Sequence, residues 1–316
     1  MSDVVPSLCI AGNLNLDLMI SGVRQMPRWG EEQFGSNRRS VTSGQAGYMG
    51  IAAARLGAEV SIIGVVGDDE DGRKIRKDLE GEGIDCTGIG SLVGQSTGLS
   101  VAIIREDGER CFVSEIGASA GFAAQRMDDH WSAVQAARAL AVVGVFNTPS
   151  LRLEDVQARL RKARELGVTT VFDSGWDTAG WPDEKRREIT ALLSCVDLFL
   201  PNEDEALALT RSVNIEEALD MLADACAGSV VIKRGAKGAI AMHEGKKLSV
   251  AARPVTAANA VGAGDVYDAA LVTALQRQAG FQAAMEFASR AAEHYVHRLD
   301  DRFPFLADLP TLTNQT

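Results

Sequence analysis
Residues 50–67 read GIAAARLGAEVSIIGVVG: a run of small helix-forming residues, a glycine at position 57, then Val and Ile with almost no polar interruption. A strand that is apolar on both sides has no face to show to water, so it predicts a sheet covered by helices on both faces. The same pairing repeats outward. SAVQAARA precedes LAVVGVF (132–146), LEDVQARLRKARELG precedes VTTVFD (153–173), KRREITALLSC precedes VDLFLP (185–201), and NIEEALDMLADACAG precedes SVVIKRG (214–235). With SLCIAG (7–12) as the opening strand, the pattern predicts an α/β fold, a three-layer sandwich around a central, mostly parallel sheet.

Two segments break the rhythm. TGLSVAIIREDGERCFVSEI (97–116) alternates apolar and polar residues around Asp107 and Gly108, which predicts a hairpin. The stretch from Leu14 to Thr42 is poor in helix signals. Together, segments 14–42 and 97–116 predict a small β layer that serves as a lid over a site. Neither a Pro-, Gly- or Ser-rich linker nor an internal repeat divides the chain, so residues 1–316 are expected to form a single domain carrying that lid.

The composition narrows the function. With 316 residues, 46% hydrophobic content and 8 prolines, the chain can bury a large core. A formal charge of -11, with Lys and Arg scattered throughout, argues against a nucleic-acid partner and for a small molecule. Five separated cysteines form no CxxC pair or disulfide framework, which fits a reducing cytoplasm. No basic n-region with an apolar h-region opens the sequence, and no apolar run approaches the roughly 20 residues that span a bilayer, so no membrane association is expected.

Several motifs lack the context their chemistry needs. GQSTG (94–98) matches the hydrolase elbow G-x-S-x-G, but Ser96 leads into an alternating strand and not a helix. His294 and His297 have no third ligand at metal-binding spacing. GDDEDG (67–72) fails the EF-hand spacing and reads as a helix cap. Gly262 and Gly264 are followed by Tyr267 where the dinucleotide fingerprint needs a small residue, and no Gly-Lys-Ser/Thr occurs.

ANAVGAGDVYDAAL (258–271) has chemistry of its own. A Gly-rich turn entering a helix exposes unpaired N–H groups beside a partial positive charge, which suits phosphate oxygens. Gly262, Ala263 and Gly264 leave room for a close approach, and Asp265 stands next to that cradle, able to accept a proton. The stretch by itself leaves a second reading open, in which Asp265 only caps the helix.

Other segments bear on that choice. GNLNLD (12–17), SGQAGYMGIAAARLGAEVSIIGVVGDDEDG (43–72), PNEDEALAL (201–209), VIKRGAKGA (231–239) and N-A-V-G-A-G-D (259–265) resemble, in order, the motifs of the ribokinase-like (PfkB) family of sugar and nucleoside kinases. The resemblance spans residues 10 to about 298. It implies the family's fold and lid, ATP and Mg²⁺ as cofactors with a monovalent cation such as K⁺ a further option, and a sugar or nucleoside as phosphate acceptor. By the same likeness Asp265 is the general base, and the amides of Gly262, Ala263, Gly264 and Asp265 form the anion hole. Asn13, Asp17, Gly44, Gln45, Tyr48 and Asn147 fall at acceptor-binding positions. Asn202, Lys233, Gly235, Lys237 and Asn259 fall on the nucleotide side, with Asn202 and Glu205 holding Mg²⁺ largely through water. The helix at 282–297 falls on the adenine wall. In several members the lids pair between subunits, which implies a homodimer as one possible assembly.

The chain departs from the family pattern where the acceptor binds. Ser43 stands for the first glycine of the N-terminal signature, Tyr48 for its sugar-binding Asn, Asn147 for a Glu of ribose-specific members, and Asn259 for the leading Asp of the last motif. Tyr48 can stack on a base, fill space beside a smaller sugar, or pack in the core. The expected activity is ATP-dependent phosphorylation of a hydroxyl on a small sugar or sugar-like molecule. Alternatives are a nucleoside kinase and a binding protein without turnover.

Overall fold
The buried Val, Ile and Leu runs form strands because each side chain finds a helix on whichever face it points to. The computed structural model describes residues 4–107, 109–255, 260–298 and 303–312. Its strands are β1 (Ser7–Gly12), β2 (Asn15–Val23), β3 (Asn37–Ser43), β4 (Glu59–Gly67), β5 (Ile89–Leu92), β6 (Gly98–Arg105) and β7 (Arg110–Glu115), followed by β8 (Ala139–Val143), β9 (Thr169–Asp173), β10 (Leu198–Phe199), β11 (Ser229–Lys233), β12 (Ala239–His243) and β13 (Lys246–Val250). Nine of them make one sheet, in the order β13-β12-β11-β10-β9-β8-β1-β4-β5. Pairing is parallel from β11 through β5, whereas β12 and β13 close one edge antiparallel.

Alternate residues of β1 enter two separate cores. Leu8 and Ile10 join helices Gln45–Arg55, Glu70–Gly81, Ala263–Gln276 and Phe281–His297 on one face. Cys9 and Ala11 join helices Leu153–Glu165, Asp183–Leu192, Glu203–Thr210 and Ile215–Ala225 on the other. This is the three-layer α/β arrangement that the uninterrupted apolar runs predict. Among the described residues no helix is long and apolar enough to cross a membrane.

A second sheet, β3-β2-β6-β7, is built from the two segments that broke the helical rhythm. β6 and β7 pair antiparallel from Leu99↔Glu115 to Ile104↔Arg110, the predicted hairpin, although Gly108 of its turn lies outside the described residues. Ser96 leads into β6 with no helix after it, and its hydroxyl donates to Glu115 at 3.1 Å, so the hydrolase elbow is absent. Asp69 caps helix Glu70–Gly81 by accepting from the Gly72 amide at 2.8 Å, as read for GDDEDG.

The chain's direction across the large sheet reverses at β1, which is flanked by β4 on one side and β8 on the other. In open α/β sheets the loops at the carboxyl ends diverge at such a point and leave a crevice.

Candidate active site
The crevice is assembled from loops that follow the strands. Asn13 follows β1, Gly144 follows β8, and Ser174 and Gly175 follow β9. A Cβ on Gly144 would lie 2.1 Å from Asn13 Oδ1, and one on Gly175 would lie 2.5 Å from Gln45 Oε1. Both glycines also have positive φ, so the close approach and the backbone shape each require them. Asn13 Oδ1 accepts from the Gln45 amide at 3.3 Å, which ties the end of β1 to the start of helix Gln45–Arg55. The sequence places Asn13, Gly44 and Gln45 at acceptor positions, and the structure brings them together here. Asn147 ends a short 3-10 turn (Val145–Asn147) in the loop after β8 and is exposed.

Helix Ala263–Gln276 points its amino end at the same region. Gly262 precedes it with φ 81°, a left-handed turn in which any added Cβ would lie 2.8 Å from both the Tyr295 hydroxyl and the Tyr48 ring. The Ala263 amide turns back to Ala260 O at 3.3 Å. Gly264 and Asp265 amides have no acceptor among the described residues. Unpaired amides at a helix start are the groups that bind an anion. Asn259 lies outside the described residues.

Asp265 occupies the first turn of that helix. Burial first, then the Asp173 carboxylate, raises its pKa well above the ordinary carboxylate range, against Lys233 and a hydrogen bond from Gln45. A carboxylate so placed holds a proton more tightly than a solvated one and is a stronger base when ionised.

Beneath the turn lies an ion cluster only partly foreseen. Lys233, at the end of β11, donates from Nζ to Asp173 Oδ2 and to Asp268 Oδ2, both at 2.7 Å. Its side chain is 11% exposed and lies within the protein, away from bulk solvent. Burial by itself would push the ammonium pKa down, but Asp173, Asp268 and Glu205 outweigh that and hold it above its ordinary range. Asp173 is depressed: Lys233 overcomes the effect of burial. Asp268 is raised well above the carboxylate range by burial first and then by Asp173. A Cβ on Gly264 would lie 3.5 Å from Lys233 Nζ, so the ammonium sits directly under the open amides.

Asn202 and Glu205 form a capping box on helix Glu203–Thr210. Asn202 Oδ1 accepts from the Glu205 amide at 2.9 Å, and Glu205 Oε2 accepts from the Asn202 amide at 2.8 Å. The Glu205 carboxyl is pushed up to about 8 by burial and then by Asp173. Among the described residues no group of three His, Cys, Asp or Glu could hold a metal ion by itself. Asn202 and Glu205, which the family likeness gives to Mg²⁺, are held to each other by this box, and Mg²⁺ bound with phosphate oxygens would keep most of its waters. Gly235 and Lys237 share a 3-10 turn after β11, and Lys237 pairs with Glu203 at 3.1 Å.

Asp17, on β2, is buried. Its Oδ1 accepts from Ser43 Oγ at 2.7 Å and Asn15 Nδ2 at 3.0 Å, and its Oδ2 accepts from the Tyr48 hydroxyl at 2.8 Å. Tyr48 is 5% exposed and its ring packs against Tyr295 and Phe303, the core-packing role of the three open to it. Met19, Ala102 and Ile104 form a small apolar cluster against Val261, so the small sheet touches the turn before Gly262.

Sequence reasoning missed Asp173, Asp268, Asn15, Gly144 and Gly175. Asp173 carried a usable signal, a lone carboxylate ending a buried strand at the sheet's functional edge. Asp268 carried another, three residues after Asp265 and thus on the same helical face.

Residues 35–306 match the model of the pfkB family of carbohydrate kinases. The chain is 29% identical over 291 residues to the ribokinase of Haemophilus influenzae, covering 90% of each protein. Two solved structures share the fold. An Escherichia coli protein provisionally assigned as ribokinase II, in complex with ATP and Mg²⁺, aligns with TM-score 0.81 at 22% identity, covering 96% of this chain and 97% of that one. Arabidopsis thaliana ribokinase, complexed with ribose and ATP, aligns with TM-score 0.77 at 22% identity, covering 97% and 96%.

Proposed function
The chain belongs to the pfkB family of carbohydrate kinases, and from that premise we propose that it transfers the γ-phosphate of ATP to a hydroxyl of a small sugar or sugar-like acceptor. One observation carries the reading: Asp265 stands beside open amides of Gly264 and Asp265 at the start of helix Ala263–Gln276. Asp265 takes the proton from the acceptor hydroxyl. The Gly264 and Asp265 amides and the helix end face the charge on the phosphoryl group. Lys233, under the turn, adds positive potential. Such transfer depends mainly on positioning and charge stabilisation, which these groups supply. ATP is the donor by likeness to the ribokinases solved with it, and Mg²⁺, when bound with ATP, neutralises phosphate charge.

Asn13 and Gln45 orient the acceptor, and Asp17 lies behind them as part of the acceptor wall. The sheet β3-β2-β6-β7 acts as a lid of one kinase domain, and its closure on Val261 keeps water from the phosphoryl group. Asp265→Asn, assayed with ATP, Mg²⁺ and a panel of sugars and nucleosides, is expected to lose at least about a hundredfold in turnover. Undiminished activity would remove Asp265 from its role.

A further inference from the structure
We propose that Tyr48 sets which acceptor this site takes, by occupying Asp17 from inside the protein. The inference rests on the kinase reading above. A carboxylate offers about four acceptor positions, and Asn15, Ser43 and Tyr48 fill three of them at Asp17. Asp17 is only 4% exposed. The Tyr48 ring makes a second connection. It lies against Gly262 and meets Tyr295 edge-on, with centroids 6.4 Å apart, and the Tyr295 hydroxyl donates to Val261 O at 2.9 Å. One side chain therefore joins β2 of the small sheet to the turn that leads to Asp265. An acceptor hydroxyl directed at Asp17 Oδ2 competes there with the Tyr48 hydroxyl, whereas an acceptor lacking that hydroxyl leaves the network whole. The site is thus matched to acceptors with one hydroxyl fewer on the side facing Asp17. Tyr48 works through Asp17 and is a positioning residue.

The test compares wild type, Tyr48→Phe and Ser43→Ala on acceptor pairs that differ by one hydroxyl: ribose against 2-deoxyribose, and glucose against 2-deoxyglucose. Turnover with ATP and Mg²⁺ is resolved into kcat and KM, and the same pairs are titrated by calorimetry with a non-hydrolysable ATP analogue. Tyr48→Phe keeps the ring on Gly262 and releases Oδ2. Preference for the more hydroxylated member should rise roughly tenfold or more, in KM and not in kcat, as a hydrogen bond to a buried carboxylate becomes available. Ser43→Ala releases Oδ1 without touching the ring and should move the ratio the same way, which covers the case of a poorly folded Tyr48→Phe. Ratios within about twofold of wild type in the folded variants, by turnover and by calorimetry, would overturn the proposal, as would failure of every pair to bind. A shifted binding ratio with no turnover of any acceptor would instead overturn the kinase reading and leave the role of Tyr48 standing. Normal turnover with unmoved ratios would do the reverse.

Discussion

Lys233 shows how much of a residue's role lies with its neighbours. The family likeness of VIKRGAKGA puts it on the nucleotide side, and in the fold it is also the counterion of two buried carboxylates. Removing it leaves Asp173 without its cation at the carboxyl edge of the sheet. Lys233→Met is therefore expected to destabilise the protein by about 3–5 kcal/mol, since an unpaired buried charge costs more than the pair contributed. Urea unfolding at neutral pH measures this. With Asp265 as the proposed base, the carboxylates around it are expected to set the acid limb of the reaction. Asp265 binds its proton at a pH above the ordinary carboxylate range, so kcat/KM should begin to fall on acidification above the pH expected for a solvated Asp, about 4.

At the scale of an element, helix Glu203–Thr210 carries two functions on one residue. Glu205 closes the capping box with Asn202, yet its carboxyl is buried near Asp173 and titrates at about 8 against an ordinary 4.5. Between those values the unfolded chain has released the proton while the folded protein keeps it. Folding then binds more protons than unfolding, so stability falls as pH rises from 4.5 to 8 and levels off above. Glu205→Gln retains a capping-box side chain at the same position but has no charge to bury. Thermal unfolding from pH 5 to 9 should show this fall in wild type and its absence in Glu205→Gln, a comparison that separates charge from cap. Equal slopes would mean that Glu205 is ionised in the folded protein.

At the scale of the whole molecule, the small sheet leaves large apolar side chains uncovered. Trp29 and Phe34, between β2 and β3, and Phe112 and Val113 on β7 are exposed. Phe112 and Val113 are consecutive on the strand and so point to opposite faces, which leaves each face of the small sheet with an exposed apolar surface. Two lids facing each other would cover one of these, so sedimentation equilibrium should give twice the chain mass of 33.6 kDa, and Trp29→Glu with Phe112→Glu should return the monomer mass. A monomer in wild type would leave the patch to another surface. The sequence by itself determined the layered sheet, because runs such as EVSIIGVVG can be buried only between two layers of helices. It also determined the small sheet, through the alternation around Asp107, and the helix that starts at the Gly262 turn with Asp265 in its first turn, because glycine turns and caps are local chemistry. Only the tertiary structure decided that Lys233 is paired, that Asp173 and Asp268 lie beneath the turn, and that the Tyr48 hydroxyl reaches Asp17. Those facts depend on groups brought together from positions 17, 48, 173, 233 and 268, and local spacing says nothing about distances that the sheet order alone creates.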